Sequence, residues 1–553
     1  MIDQIWANTA IESCLRHGID HFFLAPGSRC TPLTLAVARH ESVHIVQHFD
    51  ERGLAFAALG YARATGRPGV FICTSGTAVA NAFPAVIEAA MESVPMLLFT
   101  ADRPMELRGT GANQTIDQLE IFGSYAKAFL NLPVPPGNHL DAHFPMPILE
   151  QAFEAAKHGP AHLNWMFHEP FTIEDQKSDQ SKLSPTEPSA QEVARSFSID
   201  SLTIEVGGNV LIALGGCRPE EASQALELSE QLNCPMLCDM TSGLRAGSFE
   251  LPSEFTLPVP DTILHLGGRI VSKTWHQWTA SLAGKGVEFI HLTPTGQAVN
   301  PNGLDVTKIQ MPLQNLSAKI VSAGGEDSFR QSWEDAAVMR DQVLQDQLAE
   351  LSGVSEMSEP ALAFHLSRQC PLGHGLFVGN SMPIRDMDWF GVSDSGRPRL
   401  VAANRGASGI DGLLATATGY ATGLQKPTTV LLGDLSALHD LNSLALVAKS
   451  SWPLIVVIIN NGAGHIFDQL PIQRSEYFEQ FFATPHGCRF EDAAKMFGIE
   501  YRQVADMEDF SKSYEQACSM NGSIVLEVMT SRERNGRVRK HIHEKIKQCS
   551  DSN

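Results

Sequence analysis

Basic residues are scarce beside acidic ones: 41 Lys and Arg stand against 62 Asp and Glu, a formal net charge of −21. A chain of this charge has no overall basic field to attract a polyanion, which argues against nucleic-acid binding. Long apolar runs are missing too. The most apolar stretch, the seven residues Pro453–Ile459 (PLIVVII), falls far short of the ~20 needed to span a bilayer and reads as a buried strand. The N-terminal residues MIDQIWANTAIESCLRHG lack the basic-then-apolar pattern of a secretory signal, so a soluble, cytoplasmic protein is expected. Cysteines at metal-ligand spacing are absent. Ten are scattered, and Cys234 with Cys238 forms a C-x3-C without a second Cys or His pair, which predicts core thiols rather than a metal site or a disulfide framework. What remains is ordinary globular composition, 43% apolar and 19% charged over 553 residues, too long for one hydrophobic core.

Two shifts in composition divide the chain. Pro170 to Asp200 is polar and rich in Pro and Ser, and Ser322 to Glu359 is acidic and Gln-rich before SEPALAFHL, a Ser-capped helix start. The resulting partition is 1–175, 195–335 and 355–553. In each part short apolar strands alternate with helical stretches: HFFLAP, GVFICT and PMLLFTADRP in the first, NVLIALGG and TILHLGG in the second, TTVLLGD and PLIVVIIN in the third. The predicted fold class is α/β, three domains with parallel, doubly wound sheets. In such folds ligands gather beyond the C-terminal ends of the strands. The Gly pairs that end NVLIALGG and TILHLGG are read as tight turns, since neither completes the G-x-G-x-x-G fingerprint of a nucleotide site.

Gly433-Asp434 ends one strand and Asn460-Asn461 the next, with 27 positions from Asp434 to Asn461. A right-handed crossover brings both strand ends to one edge, where a carboxylate and an amide oxygen can share a hard cation such as Mg²⁺. The Gly-rich NGAG that follows would let backbone approach a diphosphate. Taken alone, Asp after a strand also serves as a helix cap and NNG as a turn, and the pair leaves both readings open.

The pattern resembles that of the thiamine-diphosphate enzyme superfamily, GDG followed some two dozen residues later by NN. Leu435 replaces the last Gly, and GDLSALHDLNSL is similar to one branch, the 2-succinyl-5-enolpyruvyl-6-hydroxy-3-cyclohexene-1-carboxylate synthases of menaquinone (or phylloquinone) biosynthesis. The segments APGSRCTP, HFDERGLAFAALGYARATG, TSGTAVAN, TADRP, GANQTIDQ, GNSMPIRD, NRGASGIDG and NNGAGHIF all resemble motifs of that branch, in order. The resemblance implies a pyrimidine-binding, a central and a diphosphate-binding domain, thiamine diphosphate with Mg²⁺ (Mn²⁺ possible) as cofactors, and a homodimer or homotetramer. The implied reaction is decarboxylation of 2-oxoglutarate and 1,4-addition of the succinyl-semialdehyde unit to isochorismate.

The same resemblance assigns residues. Asp434, Asn461 and the carbonyl of Ala463 would hold the metal; Gly433, Leu435 and Ser436 would line the cofactor. Glu51 would hydrogen-bond the aminopyrimidine N1′, and Ile410 would support the bent cofactor. Two acidic substrates call for cations, supplied by Arg29, Arg103, Arg385, Arg405 and Lys273 with Ser28, Gln114 and Ser381, while Ile466, Phe467 and Leu470 would wall the ring substrate. Rival readings are another thiamine-diphosphate decarboxylase or carboligase, and a catalytically silent binding protein that retains the fold.

Overall fold

A computed structural model describes residues 2–135, 144–169, 203–244, 248–295, 302–322, 325–352, 357–392 and 397–550, with side chains described up to 349 in the sixth range. The whole Pro/Ser-rich stretch, residues 170–200, lies outside these ranges, as do parts of the acidic one.

Among the described residues, three large sheets and one two-stranded sheet form the frame, and every strand pair is parallel. The first contains β1 (His21–Leu24), β2 (His44–Gln47), β3 (Gly69–Cys73), β4 (Met96–Asp102), β5 (Ala128–Leu132) and β6 (Pro160–Met166), in the order β2-β1-β3-β4-β6-β5. In the middle, β7 (Ile204–Val206) and β13 (Ile320–Ser322) pair apart from a sheet of β8 (Val210–Leu214), β9 (Met236–Cys238), β10 (Thr262–Leu266), β11 (Glu288–Thr293) and β12 (Thr307–Gln310), ordered β12-β11-β10-β8-β9. The last joins β14 (Gly375–Val378), β15 (Leu400–Ala402), β16 (Thr428–Gly433), β17 (Leu454–Asn460), β18 (Glu500–Val504) and β19 (Ile524–Met529) as β15-β14-β16-β17-β19-β18. First and last sheets therefore share one strand order, counted within each.

Continuous apolar strands explain the layering. All residues of β3, β4 and β17 are buried, as strands covered by helices on both faces must be. Burial of each Val, Leu or Ile contributes roughly 1.5–3 kcal/mol. The Gly pairs of the middle sheet are tight turns packed on each other: a Cβ on Gly215 would lie 2.1 Å from the Gly268 carbonyl oxygen, and the Gly268 N–H donates to Gly216 O at 2.8 Å. All ten cysteines are free thiols, with Cys234 and Cys238 both buried.

The outer sheets meet through equivalent helices. Glu51–Thr65 follows β2 and Leu413–Leu424 follows β15, and the two pack backbone to backbone. A Cβ on Gly60 would come within 1.9 Å of Thr416 O, and one on Gly419 within 1.9 Å of Ala57 O. Only glycine permits this approach. No helix among the described residues is long and apolar enough to cross a membrane.

Candidate active site

Four loops gather at the C-terminal edge of the first sheet. Ser28, exposed, and Arg29, buried, lie between β1 and the helix Thr31–Ala38. Glu51 opens the helix after β2, Ser75 and Gly76 follow β3, and Arg103 follows β4. The Arg103 guanidinium donates to the Ser75 hydroxyl. Gln114, in the left-handed region at φ 54°, donates from its amide to Ser75 O at 2.8 Å. Arg29 donates to Phe167 O at 2.9 Å and to Glu169 at 2.6 Å. Burial, and then the charge of nearby Arg103, lowers the Arg29 guanidinium below its ordinary range. Asp50 and Glu51 are distinguished by their bonding. Asp50 caps the helix, accepting the Arg52 N–H at 3.0 Å, whereas half-buried Glu51 has no hydrogen-bond partner among the described residues; burial chiefly, with a lesser contribution from the Glu51 charge, raises the Cys30 and Cys73 thiols.

The last sheet carries the second group. Asp434, 3% exposed, begins the helix after β16, and its Oδ2 accepts the N–H groups of Asn461 at 3.1 Å and Gly462 at 2.8 Å. The crossover inferred from sequence thus joins the two strand ends. Asn461 Oδ1 accepts the Ala463 N–H at 3.2 Å. Across the same edge, Ser381 sits at φ 71° after β14, with its carbonyl receiving Arg385 at 2.5 Å. Arg405 follows β15 and donates to Asn380 Oδ1 at 2.7 Å, and Asn380 in turn donates to Gly409 O at 2.6 Å beside Ile410. Burial, then the charge of Arg405, lowers Arg385. Ile410 is exposed, an apolar side chain at the sheet edge. Ile466 and Phe467 lie in the 3-10 turn His465–Gln469, followed by exposed Leu470, and Gln469 reaches Met382 Sδ at 3.3 Å. Leu435 donates its N–H to Asp434 Oδ1 at 2.7 Å, and a Cβ on Gly464 would stand 3.1 Å from its Cδ1. Ser436 is buried in the first turn of the helix.

The donor set fits a hard cation bound to a diphosphate. Desolvation raises the pKa of Asp434; its ion-pair neighbour is the His486 imidazole at 3.3 Å, and no Arg or Lys among the described residues pairs with it. A buried carboxylate so placed favours a cation. No cluster of three or more His, Cys, Asp or Glu able to hold a metal occurs among the described residues; a cation at Asp434 would need amide and carbonyl oxygens as further ligands, a set that Mg²⁺ accepts. At Gly433 a Cβ would meet nothing within 4 Å, leaving backbone open to a phosphate.

Two groupings expected from sequence are not joined within the chain. No hydrogen bond or ion pair among the described residues links Glu51, Arg29, Arg103 or Gln114 to Asp434, Asn461 or Ala463. Lys273, exposed at the start of the helix Lys273–Ser281, likewise bonds to neither group.

Comparison with known proteins decides the family. Residues 6–121 match the thiamine pyrophosphate enzyme N-terminal TPP binding domain, and residues 392–528 its C-terminal counterpart. A 2-succinyl-5-enolpyruvyl-6-hydroxy-3-cyclohexene-1-carboxylate synthase of Rubrobacter xylanophilus is 38% identical, covering 96% of each chain. Proteins of the same name from Pelodictyon phaeoclathratiforme and Salinibacter ruber are 36% and 35% identical over 97% and 99% of this chain, and over 94% and 97% of their own. The chain belongs to this synthase family. It is accordingly a thiamine-diphosphate-dependent enzyme of α/β fold.

Within this synthase-family chain, three side chains near the site escaped the sequence reading. His486 flanks Asp434. Glu88 accepts the N–H groups of Gly406 and Ala407, beside Arg405. Glu359, 2% exposed, receives the Asn461 amide at 2.8 Å. The Ser358 cap was legible, and its hydroxyl accepts the Ala361 N–H at 3.4 Å, but the burial of the neighbouring carboxylate leaves no local signature.

Proposed function

We propose that the protein decarboxylates 2-oxoglutarate and adds the resulting succinyl-semialdehyde unit 1,4 to isochorismate, releasing CO₂ and forming 2-succinyl-5-enolpyruvyl-6-hydroxy-3-cyclohexene-1-carboxylate. The observation that carries this reading is the pairing of cations with the cofactor groups: Arg29 with Arg103 at the edge bearing Glu51, Arg385 with Arg405 at the edge bearing Asp434 and Asn461. Two substrates with several carboxylates require such local positive charge in a chain of net charge −21. Relatives that carry the product's name over nearly the full length support it.

Thiamine diphosphate, when bound, supplies the electron sink for decarboxylation. The protein's own contributions follow from placement. Asp434, the amide oxygen of Asn461 and the Ala463 carbonyl would hold Mg²⁺, or Mn²⁺, with Gly433, Leu435 and Ser436 lining the cofactor's place. Glu51 would hold a proton at the aminopyrimidine N1′, and Ile410 would support the cofactor. Ser28, Arg29, Arg103, Gln114, Ser381, Arg385, Arg405 and Lys273 orient carboxylates, and Ile466, Phe467 and Leu470 exclude water from the ring substrate. The first sheet then forms a pyrimidine-binding domain, the last a diphosphate-binding domain, with a central domain between. As the family resemblance implies, the active unit is a homodimer or homotetramer, with Glu51 of one subunit facing the last sheet of another. The setting is menaquinone biosynthesis in the cytoplasm.

The test is product analysis by mass spectrometry with thiamine diphosphate, Mg²⁺ and both substrates, each omitted in turn. A succinylated adduct that needs both substrates is expected. CO₂ from 2-oxoglutarate without an adduct would instead identify a simple decarboxylase or another acceptor.

A further inference from the structure

Asn461 can offer a cation its oxygen only if its NH₂ group is turned away, and an amide side chain by itself has no preference between the two orientations. The structure supplies that preference through a chain of bonds that begins at a backbone N–H, which can only donate. The Glu359 N–H donates to Asn535 Oδ1 at 2.9 Å. Asn535 must therefore present its NH₂ elsewhere, and it does so to Glu359 Oε1 at 2.7 Å. That oxygen is thereby an acceptor, so the Asn461 atom 2.8 Å from it is Nδ2, and Oδ1 lies on the opposite branch of the amide, where the Ala463 N–H meets it at 3.2 Å. The remaining carboxylate oxygen, Oε2, receives Arg539 at 2.5 Å, and Arg539 also grips both oxygens of buried Asp386 at 3.0 and 2.6 Å.

We infer that Glu359 is a positioning residue that fixes the orientation of the Asn461 amide and so presents its oxygen to the divalent cation, with Asn535 and Arg539 of the C-terminal helix Arg532–Ser550 holding Glu359 in place. The inference rests on the proposed role of Asn461 as a metal ligand. Glu359 is separated from Asn461 by 102 positions and from Arg539 by 180, so this buried carboxylate links the C-terminal helix to Asn461. Partners that orient a metal ligand in this way commonly change affinity by about 10–100-fold when altered.

Exchange of donor and acceptor tests it. Asn461→Asp places two carboxylates face to face; Glu359→Gln in the same chain restores the original charge and a donor toward position 461, although that NH₂ then also meets the Asn535 NH₂. Isothermal titration of the full-length protein with Mg²⁺ at saturating thiamine diphosphate should show each single variant weakened by about 10–100-fold and the double variant weakened by clearly less than the two losses combined. Far-UV circular dichroism and thermal unfolding of the metal-free proteins check that each variant is folded. Losses that simply add in the double variant, or a Glu359→Gln protein of unchanged Mg²⁺ affinity, overturn the positioning role. Should Asn461→Ala leave Mg²⁺ affinity unchanged, the metal reading itself fails, a result separable from the first because it does not involve Glu359.

Discussion

Glu88 accepts the backbone N–H of Gly406 at 2.8 Å and, through its other oxygen, that of Ala407 at 2.6 Å, across 318 positions of sequence. A buried carboxylate after β3 of the first sheet thus holds the loop after β15 of the last, while Arg269 of the middle segment donates to Gly406 O at 3.0 Å from the other side. Arg405 sits at the start of this loop. All three segments therefore hold the loop that carries this guanidinium.

Glu88→Gln leaves a single oxygen for two N–H donors and turns an NH₂ toward one of them. A buried donor without a partner costs about 1–3 kcal/mol, and the loop relieves it by moving Arg405. kcat/KM for 2-oxoglutarate is expected to fall by about tenfold or more, with the cofactor still bound. Steady-state kinetics alongside cofactor titration decide this; unchanged kcat/KM would mean that the loop is held without Glu88.

At Glu51 the expected split is between binding and turnover. Glu51→Gln preserves shape and removes the exchangeable acid, so thiamine diphosphate and Mg²⁺ should bind nearly as before while kcat drops by about 10²–10⁴-fold. Near-normal turnover in this variant would falsify the assignment.

The helix contact at Gly60 admits no side chain. Gly60→Ala places a methyl group where only 1.9 Å separates it from Thr416 O, and the helices must part. A loss of about 1–3 kcal/mol is expected, measured as a lower urea midpoint. Gly18, with nothing within 4 Å of its Cβ position but φ 71°, would respond through backbone strain alone.

Acid should destabilise the first sheet through His162. The ring is fully buried on β6, with Nε2 2.7 Å from Thr100 Oγ1, and burial holds its pKa down at about 3 against 6.5 in a free side chain. The unfolded chain therefore takes up a proton below pH 6.5 that the folded one refuses. The stability is complete above that pH and declines by about 1.4 kcal/mol per unit as pH falls toward the folded value. Urea midpoints at pH 7 and pH 5 should differ less in His162→Gln than in the wild type; equal differences would place the acid sensitivity elsewhere.

Asp434 should serve both states, through its hydrogen bonds in the metal-free fold and through its charge when a cation is bound. Its carboxylate is buried with no Arg or Lys in ion-pair contact among the described residues, which favours a cation. Asp434→Asn leaves one oxygen for the three N–H groups that the carboxylate accepts, so the metal-free protein should lose about 1–3 kcal/mol and, separately, most of the Mg²⁺-dependent gain in melting temperature expected with thiamine diphosphate. Differential scanning calorimetry with and without Mg²⁺ separates the two; a full Mg²⁺ gain in the variant would displace Asp434 from the site.

Local sequence determined much of this protein. Apolar runs such as PLIVVII read as buried strands, strand-end Gly and Asp marked the edge of the candidate site, and the spacing from Asp434 to Asn461 is one crossover long. Those signals are local because hydrogen-bonding geometry and strand periodicity act over a few residues. Tertiary structure alone decided which distant groups meet. That the outer sheets share a strand order, that Gly60 and Gly419 serve a helix contact, and that Glu88 and Glu359 are buried acceptors rather than solvated acids all depend on the partner across the interface. An isolated Glu in a helical stretch looks the same in sequence whether water or an amide 102 positions away completes its hydrogen bonds, because burial is a property of the packed chain and not of the residue.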